Sequence, residues 1–267
     1  MPLYRDSTKH ARALDRSRLA KRDPFSVNLD GYANNGGFYL VNVTVGTPPQ
    51  TISLDIDTGS SDVWMFGPHS CEEQTSICYG GVFDPDASTS VLNPCSEASD
   101  CLPFQIQYGT PGSGVQGYYF QDVFGIGGQT VQNLTMAFAV DAAYTTTGII
   151  GVGFALGESL EDGQQQTYPN LVQVMAQEKI IPSESYSLYL NDLDAGEGTV
   201  LFGGYDTDKF EGSLSILDIQ PAEQDQISRM LVVWSSIGVT DNTGASTIIP
   251  TSSAPQSVLL DSGTALT

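Results

Sequence analysis

Near its start the chain reads Leu54-Asp55-Ile56-Asp57-Thr58-Gly59-Ser60, and near its end Val258-Leu259-Leu260-Asp261-Ser262-Gly263-Thr264. Each run is apolar and closes on Asp, a hydroxyl residue, Gly and a second hydroxyl residue. One Asp-Thr-Gly alone is what an ordinary turn looks like. Two copies, each preceded by a segment suited to a buried strand, imply two related halves that each deliver one carboxylate. If the two loops meet, the like charges of Asp57 and Asp261 resist double ionisation, and the pair holds one proton over a broad acidic range. One carboxylate then takes a proton from a water while the other gives one to a carbonyl oxygen, which is acid-base catalysis without a covalent intermediate. Gly59 and Gly263 permit close backbone approach. The hydroxyls of Thr58, Ser60, Ser262 and Thr264 are placed to bond the carboxylates or the facing backbone.

This chemistry calls for no metal and no cofactor. The only histidines, His10 and His69, stand at no ligand spacing from one another, and no histidine is placed to activate a nucleophilic serine.

Around the first copy the pattern is β. Tyr39, Val41, Val43 and Val45 alternate with Leu40, Asn42 and Thr44, and Gly46-Thr47-Pro48-Pro49-Gln50 turns the chain into a second strand. There Ile52, Leu54 and Ile56 share one face, which leaves Ser53, Asp55 and Asp57 on the other. Short strands and Gly-rich turns follow, with one helix expected from Pro169 to about Lys179, ending before Pro182. The 267 residues, 40% apolar, suffice for one large all-β unit or two lobes.

Seven of the ten Lys and Arg lie within the first 22 residues, and residues 23–267 carry a formal net charge of −26. Residues 8–22 read as a short basic helix ending at Lys21-Arg22, a processing site, so residues 1–22 are expected to be the remnant of a pro-segment. No apolar leader region precedes it. The acidic remainder argues against a nucleic-acid partner, because binding phosphates needs cations. It suits an acidic medium, where protonation relieves self-repulsion. No run approaches the roughly 20 apolar residues of a membrane-spanning helix. Cys71 with Cys78 and Cys95 with Cys101 are close pairs that suggest two short-loop disulfides, although four cysteines allow three connectivities. With the sequons Asn42-Val43-Thr44 and Asn133-Leu134-Thr135, they point to a secretory route ending outside the cell, at its surface or in a vacuole. Asn42 also fits as a plain polar strand residue.

The segment Asp57-Thr58-Gly59-Ser60-Ser61-Asp62-Val63-Trp64 resembles the first active-site signature of the pepsin family, and the likeness extends from Phe38 to the end of the chain. Gln107-Tyr108-Gly109-Thr110-Pro111-Gly112-Ser113-Gly114 is similar to the hairpin flap that closes over bound peptide in that family. The resemblance implies that Tyr108, Gly109, Thr110, Trp64 and Asp55 lie at the flap and substrate-binding cleft, with Tyr108 bonded to Trp64. Gly148-Ile149-Ile150-Gly151-Val152-Gly153 resembles the strand that supports the first active-site loop. The Asp-Ser-Gly-Thr spelling and the dibasic end of the pro-segment look most like secreted fungal members.

What the resemblance implies is an all-β, bilobal acid-protease fold with its second lobe incomplete. Residues 23–191 would form the first lobe, with Asp57 and the flap, and residues 192–267 a partial second lobe ending just after Asp261. The implied activity is hydrolysis of peptide bonds in proteins at acid pH by a monomer. The alternative is a non-catalytic peptide-binding or decoy protein on the same fold. Because the family's last strands would follow Thr267, these 267 residues alone are expected to be inactive. Asp55 stands where the family usually has an apolar residue lining the specificity pocket. Either its carboxylate is turned to the surface or bridged by water, or it makes an acidic pocket for Lys or Arg.

Overall fold

A computed structural model describes residues 23–32, 37–71, 78–92, 101–109, 111–160, 167–191, 195–222, 226–250 and 256–264. The basic helix expected before residue 23, Cys95 and Thr110 lie outside these residues.

The alternating pattern produces ten strands of one sheet: β1 (Phe25–Tyr32), β2 (Phe38–Val45), β3 (Gln50–Asp57), β4 (Val63–Phe66), β5 (Pro103–Gln107), β6 (Gly114–Ile126), β7 (Gln129–Ala143), β8 (Gly148–Gly151), β9 (Tyr186–Leu190) and β10 (Glu197–Phe202). Their order is β5-β6-β7-β4-β8-β3-β2-β1-β10-β9, and a further pairing of β6 with β2 closes six of them into a barrel. Closure removes the free edges that invite mispairing. The barrel interior is filled from alternate positions, with Val41, Val43, Val45, Ile52, Leu54 and Ile56 all at most 1% exposed. All-β architecture is therefore as the alternation predicts.

β3 and β8 run parallel, with Asp57 facing Gly151. A Cβ on Gly151 would stand 2.5 Å from the Ser61 carbonyl carbon, so only glycine lets β8 pass this close behind the Asp57 loop. Val152 N–H donates to the Asp57 carbonyl at 2.8 Å and Gly153 N–H to the Ser60 carbonyl at 2.9 Å. The supporting strand expected from the sequence is thus in place.

The helix is shorter than expected: α1 spans Leu171–Gln177. Asn170 explains its start, accepting from Gln173 N–H at 3.1 Å while Gln173 Oε1 accepts from Asn170 N–H at 3.2 Å, a reciprocal capping box. Asn170 Nδ2 also donates to the Gly153 carbonyl at 2.8 Å, tying the helix to the strand behind Asp57. Lys179, with φ 67°, lies in the left-handed region past the helix end.

The ten-stranded sheet runs past the boundary expected at residue 192, because β10 pairs with both β9 and β1. Beyond it the architecture thins. β11 (Leu231–Trp234) pairs with β14 (Gln256–Leu259), and β12 (Ser236–Thr240) with β13 (Ser246–Pro250), as separate two-stranded ribbons. Ile216, Val239 and Ile248 are 94%, 53% and 68% exposed there. Among the described residues no helix is long and apolar enough to cross a membrane. Cys71 and Cys78 form a disulfide, and Cys101 is disulfide-bonded too.

Candidate active site

β3 ends on Asp57 and β14 ends two residues before Asp261, so both carboxylates emerge where a strand gives way to a turn. The two turns interlock. Thr58 Oγ1 donates to the Leu260 carbonyl at 2.7 Å and Ser262 Oγ to the Ile56 carbonyl at 2.7 Å. In return Ser262 N–H donates to Thr58 Oγ1 at 3.0 Å and Thr58 N–H to Ser262 Oγ at 3.1 Å. Each hydroxyl therefore serves as donor and acceptor at once, and the four bonds repeat under an exchange of the two halves.

The same exchange relates the carboxylates. Gly59 N–H donates to Asp57 Oδ1 at 2.7 Å and Gly263 N–H to Asp261 Oδ1 at 2.9 Å. Ser60 Oγ donates to Asp57 Oδ2, and Thr264 Oγ1 to Asp261 Oδ2 at 2.6 Å. A Cβ on Gly59 would lie 2.5 Å from Asp261 Cγ, and one on Gly263 would lie 2.7 Å from Asp57 Oδ1. Each glycine thus makes room for the opposite carboxylate.

Both carboxylates open into a cleft of about 880 Å³, lined also by Ser60, Thr264, Gln105, Ile106, Tyr108, Gly109, Ser159, Leu160, Arg229 and Leu259. Tyr108 and Gly109 follow directly on β5, where Tyr108 N–H donates to the Ser113 carbonyl at 3.3 Å across the hairpin. The hairpin accordingly contributes to the wall of the cleft that the carboxylates share.

Over residues 38–267 the chain matches the family described as eukaryotic aspartyl protease. It belongs to that family. A protein named probable aspartic-type endopeptidase OPSB from Arthroderma benhamiae is 34% identical over 261 residues, 96% of this chain and 51% of its own length. The acid protease of Saccharomycopsis fibuligera is 35% identical over 87% of this chain and 56% of its own. Secreted aspartic protease 8 of Candida albicans is 34% identical over 88% of this chain and 53% of its own. The chain spans about half the length of these curated relatives.

Asp57 is 6% exposed. Burial pushes its pKa up to about 6, against the Ser60 hydrogen bond, and the neighbouring Asp261 raises it further. Asp55 is 3% exposed and does not line the cleft. Its Oδ1 accepts from Tyr39 N–H at 3.1 Å. Burial pushes its pKa to about 8, the Tyr39 N–H opposes this, and Asp57 adds to it. β2 therefore covers this carboxyl and holds it against the Tyr39 backbone.

Trp64 is 1% exposed and likewise stands behind the cleft wall. Its Nε1–H and the Tyr108 hydroxyl are both buried and neither reaches a hydrogen bond of ordinary geometry among the described residues, yet the indole faces that hydroxyl closely enough to act on it as a hydrogen-bonding neighbour. Burial raises the Tyr108 pKa well above 10, and the nearby indole opposes that shift.

Sequence reasoning missed Asp62. At 1% exposure its Oδ1 accepts from the hydroxyls of Tyr119 at 2.7 Å and Tyr168 at 2.6 Å, and its Oδ2 from Ser159 N–H at 2.8 Å. Burial raises both tyrosine pKa values above the ordinary range, and the Asp62 charge adds to it. Asp62 thereby fixes the 157–160 wall of the cleft. A buried acid five residues after Asp57 was the available signal.

Proposed function

We propose that the protein is an aspartic endopeptidase that hydrolyses peptide bonds in proteins at acid pH, with Asp57 and Asp261 sharing one proton. The observation that supports this most directly is the reciprocal lock, in which four hydrogen bonds tie the two turns and each carboxylate occupies the space that the opposite glycine leaves open. Such a lock orients two acids toward each other before any substrate arrives, which is what preorganised acid-base catalysis requires.

In this mechanism the ionised member of the pair takes a proton from a water, and the resulting hydroxide adds to the scissile carbonyl carbon. The protonated member donates to the carbonyl oxygen, giving a neutral tetrahedral diol. The protonated member then gives its proton to the leaving nitrogen while the ionised member takes one from a diol hydroxyl, the C–N bond breaks to give acid and amine, and the dyad again holds one proton. Gly59 and Gly263 N–H with the Ser60 and Thr264 hydroxyls hold the carboxylate oxygens. Thr58 and Ser262 position the turns, and Tyr108 and Gly109 cover the peptide from the hairpin. The raised pKa of Asp57, about 6, supports retention of the shared proton through the acid range. The disulfide and the relatives' names support a secreted enzyme acting on protein or peptide substrates.

The test is hydrolysis of an unfolded protein substrate at acid pH by the full-length protein. Asp57→Asn and Asp261→Asn should each remove turnover by at least ~1000-fold, with the fold retained by circular dichroism. Turnover that survives either substitution, or its absence in the unaltered protein, overturns the reading.

A further inference from the structure

The two glycosylation sequons look equivalent as sequence, and both asparagines are exposed, but they are held differently in the sheet. Asn42 lies in β2, a strand flanked by β3 along residues 40–45, by β6 along residues 43–45 and by β1 along residues 38–40. Its side chain is engaged at both ends: Oδ1 accepts from Ser53 Oγ at 2.6 Å, and Nδ2 donates to Asp30 Oδ2 at 3.3 Å. The hydroxyl of Thr44, which completes this sequon, is pressed against the Cα of Gly125 in β6 so closely that a methyl group there would clash.

Asn133 lies in β7 at a bulge. Between the facing pairs Asp122–Leu134 and Phe124–Val131, Gln132 and Asn133 stand opposite the single residue Val123. Asn133 takes φ 51°, a left-handed conformation that asparagine tolerates better than most residues. Its side chain is exposed. Along this stretch β7 is paired only with β6, since β4 meets it no earlier than Ala137.

From this contrast we infer that Asn133 is the N-glycan acceptor of this protein and that Asn42 is a surface polar tie between strands β1, β2 and β3. The transferred group is the oligosaccharide of a lipid diphosphate donor. Asn133 Nδ2 forms the bond to the anomeric carbon, the bond from that carbon to the diphosphate oxygen breaks, the lipid diphosphate leaves, and the amide loses one proton. At Asn133 the product projects into solvent from a bulge, and folding proceeds around it. At Asn42 the sugar would replace one of the two Nδ2 hydrogens beside Asp30 and Ser53 and would lie across β1 and β3, so folding and modification compete.

The inference rests on the secretory part of the proposed function but not on catalysis. Its test therefore routes the full 267-residue chain through a yeast secretory pathway behind a heterologous leader, whatever the activity. The secreted or cell-retained product is digested with an amidase that releases N-glycans, and intact mass and peptide mapping locate the site. The expected result is glycan at Asn133 alone. Asn133→Gln and Thr135→Val each lose the whole amidase-sensitive mass, whereas Asn42→Gln and Thr44→Val keep it. Thr135→Val leaves Asn133 at its bulge, and Thr135→Ser, which preserves the sequon, retains the glycan. Glycan at Asn42, or unmodified Asn133 in the unaltered protein, overturns the inference.

Discussion

The two Asp-(Ser/Thr)-Gly-(Ser/Thr) turns make the same bonds, yet they hang from very different supports. Asp57 ends β3, which lies between β2 and β8 in a closed barrel, and its carboxylate is nearly buried. Asp261 follows β14, which pairs only with β11 in a two-stranded ribbon, and is half-exposed. A second contrast sits two residues upstream of each acid. Asp55, a buried carboxyl, stands in the first half where Leu259 stands in the second. The comparison teaches that the reactive geometry is set by short-range reciprocity, while resistance to unfolding is concentrated on one side.

The largest expected effect concerns pH. Asp55 and Asp57 have folded pKa values raised to about 8 and about 6 from an unfolded value near 3.8, so between these limits the folded state binds protons that the unfolded state has lost. Stability is then full below about pH 4 and falls as pH rises through the window, by up to about 1.4 kcal/mol per pH unit for each group still titrating. Urea midpoints of the barrel at pH 5 and pH 7.5 should show this fall. Asp55→Leu, which makes the first half match the second, should flatten the curve above pH 6 and stabilise the protein at pH 7.5. An unchanged slope breaks the assignment of Asp55 as a neutral, buried acid.

Next in size is the difference in core. Leu54→Ala, at a position with no exposure, should cost about 2–5 kcal/mol by cavity formation. Val258→Ala, on the half-buried face of β14, should cost no more than ~1 kcal/mol. Chemical denaturation of the two variants measures both, and equal losses would show that the ribbon is as well packed as the barrel.

Smallest are the cross-bonds themselves. Thr58→Val and Ser262→Ala each remove side-chain partners from the same four-bond set, at about 1–3 kcal/mol apiece. Because they share partners, the double variant should lose less than the sum of the two. Limited proteolysis sharpens the point: cleavage within residues 231–259 should accelerate in both variants while the barrel stays intact.

The part of this arrangement legible in the sequence is the part that depends on neighbours along the chain. Alternation along β2 and β3 identified the strands and their inward faces, the repeated tetrad identified the two acids, and Gln107 to Gly114 identified the hairpin. Alternation states which face a side chain takes but not what covers that face. Asp55 was accordingly placed on the side of Asp57, and only the structure shows Tyr39 N–H against it. The cleft wall draws on Gln105, Ser159, Leu160 and Arg229, which no motif connects. Asp62 sat unnoticed inside a segment recognised for other reasons, since its partners Tyr119 and Tyr168 are brought to it by the barrel. The run of the sheet to β10 was hidden for the same cause: β1 and β10 meet only through long-range pairing.

The reciprocal placement of Gly59 and Gly263 has a hereditary consequence. A methyl group gained at either position displaces the acid of the other half, so a lesion scored by its effect on one aspartate has its origin in the other repeat. Selection on the two repeats is therefore joint: neither can drift in size at its third residue without the other registering the change.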